Sequence, residues 1–263
     1  MTAFLASASK HYKVVENDMS ADCAVIWSCL WAGRMAPNKE IYEHFRSQNK
    51  PVIIIEVGAL KRNITWKISV NNITNQGYYG HTENVDEGRL KLFGYDQWHE
   101  GQKIRNNGKI LIAAQHQQSH QLQYLTSQED WIQKQINEIK RQTDRDIVVR
   151  HHPRSQLDQT LLKYCTFETP QKITNTYDDF NYRDEYYCVV NYSSGPGIQS
   201  AIKGTPVVTS VYSLAYPISN RIDRIKQMKN RATRSWLISM VHTEYFLEEI
   251  AQGLWYTRLE SAL

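Results

Sequence analysis

The four cysteines of this 263-residue chain, Cys23, Cys29, Cys165 and Cys188, include no Cys-x-x-Cys spacing. A structural zinc or a paired redox thiol is therefore not expected, and the cysteines read as reduced thiols. No apolar run approaches the about 18 residues that a membrane span needs. The opening MTAFLASASK contains an Ala-Ser-Ala that mimics a signal cleavage site, but it has no basic leader and its apolar stretch is too short. The expectation is a cytoplasmic protein. There is no internal repeat and no low-complexity segment. No Gly-x-Gly-x-x-Gly follows the first expected strand, which counts against an NAD-dependent epimerase. Nor is either sign of charge dominant: 31 Lys and Arg against 27 Asp and Glu leave a formal charge of +4. That balance is compatible with a polyanionic partner without requiring one.

What is present is ordinary globular composition, 41% hydrophobic and 22% charged. The 16 tyrosines and 7 tryptophans decide little, because such rings both stack on ligands and fill cores. Short apolar runs alternate with helical stretches. DCAVIWSCLW (22–31) reads as a buried strand. NKEIYEHFRSQNK (38–50) places Ile41, Phe45 and Tyr42 at helical spacing, and PVIIIEVG (51–58) is a strand again. Strand, helix, strand is a parallel unit. Signals weaken over 59–105, where WKISV is a plausible strand.

The pattern restarts at NNGKILIAAQ (106–115). A helix over 127–142 opens with Ser127 as N-cap and carries Trp131, Ile132, Ile136 and Ile139 on one face. DIVVRHHP and YYCVVNYSSGPG are strands running into loops, IQSAIKG is a short helix closed by Gly204, and TPVVTS is a further strand. The chain from about 221 reads as helical and basic. The expected fold class is α/β, with two Rossmann-like domains and a cleft between them. The expected domains are 1–105 and 106–235, with a C-terminal helical segment, 236–263, a candidate to pack back on the first.

Three loops follow strands of the second block and so open on one rim of a parallel sheet. They are Gln115–His120, Arg150–Arg154 and Tyr192–Gly197. Ser193, Ser194 and Gly195 sit where a helix begins, and free N–H groups at a helix start attract phosphate. The alternative is a plain N-cap and turn. Arg150, His152 and Arg154 can donate to phosphate oxygens, bidentately for arginine; a single histidine could equally be a satisfied core group.

Asp144-Arg-Asp146 could bind a divalent ion, but it precedes a strand and reads as a solvated turn. Asp178-Asp179 reads as a surface loop. Glu56 ends an otherwise apolar strand, where a carboxylate is costly unless paired or used. It is a candidate general base, or else half of a salt bridge with Lys61 or Arg62. Asn71, Asn72, His81 and Arg89 follow in nearby loops. Arg221, Arg224, Lys226, Lys229 and Arg231 form a basic strip that could track a nucleic-acid backbone or be a solvated helix face.

ILIAAQ, TDRDIVVRHHPRS and VVNYSSGPGIQSAIKGTPVV together resemble the nucleotide-binding half of GT-B glycosyltransferases. The branch concerned holds capsule-polysaccharide transferases and related phage-encoded, DNA-modifying enzymes. IIIEVGALKR resembles the family's Glu-x-Gly segment and SVNNITNQGYYG its following turn, where the capsule enzymes place an aspartate and this chain has Asn71 and Asn72. The resemblance implies donor-phosphate roles for Arg150, His152, Ser193 and Ser194, with Gln115, Arg154 and Gly195 beside them on the same rim. It leaves Glu56, Asn72 and His81 as the catalytic candidates.

The implied function is a metal-independent hexosyl- or pentosyltransferase using a UDP-sugar, with no other cofactor. The expected acceptor is a hydroxylated pyrimidine in phage DNA, contacted through Arg221, Arg224, Lys226, Lys229 and Arg231. The alternatives are a surface or capsular glycan as acceptor, or a non-catalytic nucleotide-sugar-binding module.

Overall fold

The computed structural model describes residues 1–100, 108–170, 172–173, 176–177 and 186–263. The expected block boundary near residue 105, and Asp178 and Asp179, lie outside the described residues. The first elements in chain order are α1 (Thr2–Ala8), β1 (Ala24–Trp27), α2 (Asn38–Ser47), β2 (Val52–Val57), β3 (Thr65–Val70) and α3 (Arg89–Leu92). There follow β4 (Lys109–Ala113), α4 (Gln128–Lys140), β5 (Ile147–Arg150), β6 (Thr166–Glu168), β7 (Lys172–Ile173), β8 (Thr176–Tyr177), β9 (Tyr186–Asn191), α5 (Gly195–Ile202) and β10 (Val207–Thr209). The chain ends with α6 (Arg234–Val241), β11 (Glu244–Phe246), α7 (Leu247–Gln252) and α8 (Tyr256–Leu259). It divides into two compact units, one formed by Met1–Gln97 with Leu237–Leu263, the other by Trp98–Trp236. Among the described residues no helix is long and apolar enough to cross a membrane.

The first unit holds a four-stranded sheet of order β1-β2-β3-β11. β1 and β2 are parallel, joined through α2 as the strand–helix–strand pattern requires. β3 returns antiparallel to β2, and β11 lies antiparallel on β3. The connection from Gly58 to Ile64 is too short for the crossover that a parallel β3 would need. Side chains alternate across the sheet. One face sets Ile53, Ile55, Ile68, Val70 and Tyr245 against Phe4, Trp255 and Leu259. The other sets Ala24, Ile26, Val52 and Ile54 against Phe45 of α2. MTAFLASASK supplies α1, which is anchored by a Phe4–Trp255 stack at 4.2 Å and by Trp255 Nε1 donating to Ser7 Oγ at 2.9 Å.

The second unit is built on a five-stranded sheet of order β10-β9-β4-β5-β6. Every neighbouring pair in it is parallel. Strand order reverses between β4 and β9, which makes the gap between their carboxyl ends the topological switch point. α4 begins at Ser127, whose Oγ accepts from Asp130 N at 3.1 Å. Its Ile132, Ile136 and Ile139 are all 0% exposed against the sheet, each contributing about 2 kcal/mol by burial. Gly204, just past α5, has φ +88°, the left-handed geometry of a helix stop.

The segment expected to be one basic helix from 221 is a 3₁₀ stretch, Ile222–Gln227, broken at Arg224, with helix resuming only at Arg234. Ile225 and Met228, three residues apart, are buried in the core.

Candidate functional site

On the second unit, the loops after β4, β5 and β9 lie in strand order and are hydrogen-bonded to one another. Gln115, buried just past β4, accepts from Ser193 N at 2.6 Å and from Ser193 Oγ at 3.3 Å. Gln121 Nε2 reaches Ser193 O at 3.2 Å. These bonds clasp the two loops across the switch point. On the other side, Gln117 N donates to Ser155 Oγ at 3.1 Å and joins the β4 loop to the β5 loop.

Not every expected donor faces this rim. Arg150 is the last residue of β5 and is 6% exposed; its Nε lies 3.7 Å from Glu168 Oε1, the residue beside it on β6. Glu168 also receives the Tyr186 hydroxyl at 2.9 Å. The guanidinium is thus turned along the sheet toward a carboxylate, because strand parity puts both residues on one face. Ser193 is turned inward as well, with both its donors on Gln115. The two adjacent histidines have separate fates. His151 is 3% exposed, stacked on Phe167, and its Nδ1 accepts from Leu157 N at 3.1 Å. Burial pushes its pKa down.

His152 is half-buried, its Nδ1 accepting from Arg154 N at 3.2 Å, and Arg154 is exposed. Ser194 is the N-cap of α5 but makes no side-chain cap bond. Its Oγ accepts from Asn191 Nδ2 at 2.8 Å, which leaves the hydroxyl proton to be donated. Gly195 follows as the first residue of α5. One rim residue escaped the sequence reading. His116, in the β4 loop, lies edge-on to His152 with centroids 5.1 Å apart. The available signal was a histidine directly after the strand-ending glutamine in AAQHQQ.

The first unit collects a different set of groups. Cross-strand register aligns Glu56, Lys67 and Glu244 on one sheet face, with neighbouring Cβ atoms about 5 Å apart. Ser28, just past β1, extends the row by donating to Glu56 Oε2 at 2.6 Å. Val57 N donates to Glu56 Oε1 at 3.0 Å. The partner facing Glu56 is therefore Lys67, not Lys61 or Arg62. Glu244 is 0% exposed and accepts from Ala59 N at 2.6 Å and Thr65 Oγ1 at 2.7 Å. Gly58 has no room for a side chain, since a Cβ there would collide with Glu244 Oε2 and with Thr65.

Lys67 is 7% exposed. Burial lowers its pKa, opposed by the charges of Glu244 and Glu56. Ser69 and Tyr79 bring buried hydroxyls to the same neighbourhood; they are close enough to affect each other, yet neither forms a hydrogen bond of good geometry. His81 joins this group. Its pKa is lowered by burial, then by His242 and Lys67, and its ring meets Tyr79 edge-on at 5.4 Å.

Asn72 does not join it. Its Oδ1 accepts from Thr74 N at 3.1 Å and Thr74 Oγ1 at 3.0 Å, closing a turn. The turn sits where β3 ends beside Val52, roughly 13 Å along the sheet from Glu56 at strand rise. Asn71 ties the same edge, its Oδ1 accepting from Val52 N at 2.9 Å. Arg89 is paired with Glu249.

Arg221, Arg224, Lys226, Lys229 and Arg231 are all exposed, and Arg221 is paired with Asp223 through Nε–Oδ1 at 2.9 Å. Asp144 and Asp146 are exposed in the turn before β5, at the sheet edge opposite the three loops. Among the described residues no group of three or more His, Cys, Asp or Glu could hold a metal ion.

No family model and no curated protein matches the chain. Among solved structures it is similar to KpsC of Thermosulfurimonas dismutans, described as a beta Kdo 2,7 transferase. That match has a TM-score of 0.52 and 12% identity, over 98% of this chain and 96% of that one. A KpsC beta Kdo 2,4 transferase of the same organism matches with a TM-score of 0.49 and 12% identity, over 88% and 86% of the two chains. At that identity the likeness is one of fold: an α/β chain of the GT-B type, with two Rossmann-like units.

Proposed function

We propose that the protein is a glycosyltransferase that moves the sugar of a nucleotide-sugar, a UDP-sugar, to a hydroxyl acceptor. The rim of the second unit carries the reading. An α5 start free of any side-chain cap lies at the switch point of a parallel sheet, and the loops beside it present His116, His152, Arg154 and Ser194. As the glycosidic bond breaks, negative charge grows on the departing diphosphate. Donors aimed in advance stabilise that charge without requiring a metal. Gln115 and Ser193 act from behind this surface by holding the loops, while Arg150 is turned toward Glu168 of β6. The first unit supplies the acceptor side, with Glu56 as general base if the reaction inverts and His81 near Lys67 of the same row; Asn72 closes a turn. The description of KpsC as a Kdo transferase supports this reading, and a surface or capsular glycan as acceptor is consistent with it.

A second acceptor, a hydroxylated pyrimidine in phage DNA, is favoured by one observation: five exposed cations follow one another from Arg221 to Arg231. An enzyme acting there would take the base out of the stack. Binding to duplex DNA that weakens steeply with salt would select this acceptor; indifference to DNA leaves the glycan.

The test is a thermal-shift panel of nucleoside diphosphates and nucleotide-sugars with EDTA present. A ligand at 100 times its dissociation constant stabilises by about 2.7 kcal/mol. His152→Ala should weaken that response, and Glu56→Gln should keep it while losing transfer. If no nucleotide shifts the melting curve, the reading fails. Donor hydrolysis without acceptor separates an enzyme from a non-catalytic binding module.

A further inference from the structure

We propose that His116 is a second imidazole donor to the diphosphate, acting as a pair with His152; the proposal rests on the donor-binding reading of the second unit. The chain makes the same local turn twice on this rim. After β4, Gln118 N donates to His116 Nδ1 at 3.2 Å. After β5, Arg154 N donates to His152 Nδ1 at 3.2 Å. A neutral imidazole carries one proton, and a backbone donor occupies Nδ1 in each ring, so the proton belongs on Nε2. Both rings are thereby fixed with an N–H donor on the nitrogen farther from the backbone.

The rings are half-buried, 5.1 Å apart and inclined at 71°. Their loops are joined by Gln117 N to Ser155 Oγ. Two imidazoles held that close, each with its own N–H and with the Arg154 charge acting on His116, suit an anion with oxygens on two phosphorus centres better than a single carboxylate or phosphate. Burial and the Arg154 charge both lower the His116 pKa, which keeps the ring a neutral donor near pH 7.

The carboxylate bonded to this loop does not oppose an anion unscreened. Glu129 accepts from Gln117 Nε2 at 2.6 Å, from Asp158 N at 3.3 Å and from the Ser127 hydroxyl at 3.3 Å. A metal reading of the pair lacks a third ligand among the described residues.

The experiment is calorimetry of the full chain with inorganic pyrophosphate, inorganic phosphate and UDP, in EDTA at pH 7.5. His116→Asn is the informative variant: its amide oxygen can still accept from Gln118 N, while the far N–H is lost. His116→Ala is the second variant. Pyrophosphate and UDP affinity should fall at least fivefold in both, inorganic phosphate affinity less than twofold, and the His116→Asn melting temperature should stay at the wild-type value. Imidazole ¹⁵N spectra should show His116 protonated on Nε2, with that nitrogen shifting as pyrophosphate is added. If UDP binds wild type and His116→Asn within twofold of each other, or the proton sits on Nδ1, the inference falls and the donor-binding reading stands. If no nucleoside diphosphate binds wild type, both fall together.

Discussion

Lys67 is the residue whose position says most about the first unit. A lysine amine taken out of water destabilises the fold unless opposite charge meets it. Here the strand register supplies Glu56 on one side and Glu244 on the other. Glu244 spends its oxygens on Ala59 N, Leu60 N and Thr65 Oγ1, so the ladder also sets the path of the loop that follows Glu56. Lys67→Met removes the only cation of the row and leaves two carboxylates facing each other across an apolar strand. A loss of about 3 kcal/mol is expected, the scale of breaking a buried pair. Adding Glu56→Gln should restore part of it, with a coupling of more than about 1 kcal/mol in a urea-unfolding double-mutant cycle. Strict additivity of the two changes would mean that the register neighbours do not interact. The strand was readable from TWKISV, and its one charged residue was visible there. Its neighbour Glu244 was not, because β11 is a three-residue strand from the far end of the chain with no periodicity of its own.

Among the elements, the β4 loop holds the rim together, and Gln115 is its clasp. Gln115→Leu keeps the volume but leaves the buried Ser193 N–H and hydroxyl without their acceptor. The expected cost is about 2 kcal/mol, together with weaker nucleotide binding, since the β9 loop is no longer held. Ser127→Ala is the control. It removes the α4 cap for about 1 kcal/mol and should leave nucleotide affinity alone. Equal loss of affinity in both variants would show that general destabilisation, not the clasp, is being measured. These elements were the legible ones. Ser127, the isoleucine spacing of α4, the apolar run of β9 and Gly204 are local signals, and each sits where its residue type requires. The inward turn of Arg150 was not legible, because it depends on Glu168 arriving beside it on β6. The single helix expected from 221 does not form: Arg224 leaves helical geometry and the stretch ends at Gln227, with Ile225 and Met228 buried in the core.

At the scale of the whole molecule, both units share one sensitivity to acid. His81 and His242 in the first unit, and His116 and His151 in the second, all lie below the ordinary histidine value of 6.5, with burial the largest cause in each. The sign follows from linkage. As pH falls below 6.5 the unfolded chain takes up protons on these rings before the folded chain does, so stability is lost through that window until the folded-state rings protonate too. The aspartates shifted below their ordinary 3.8, Asp18, Asp158 and Asp223, contribute stability that is lost only in stronger acid. They therefore do not confuse a measurement between pH 7.5 and 5.5. Calorimetric melts should give a lower melting temperature at pH 5.5 than at 7.5, and His151→Gln with His242→Gln should flatten the difference. A melting temperature indifferent to pH over this range would show that the four rings are as well solvated folded as unfolded. That result would also weaken the case for neutral imidazole donors at the rim, because the same burial holds His116 uncharged.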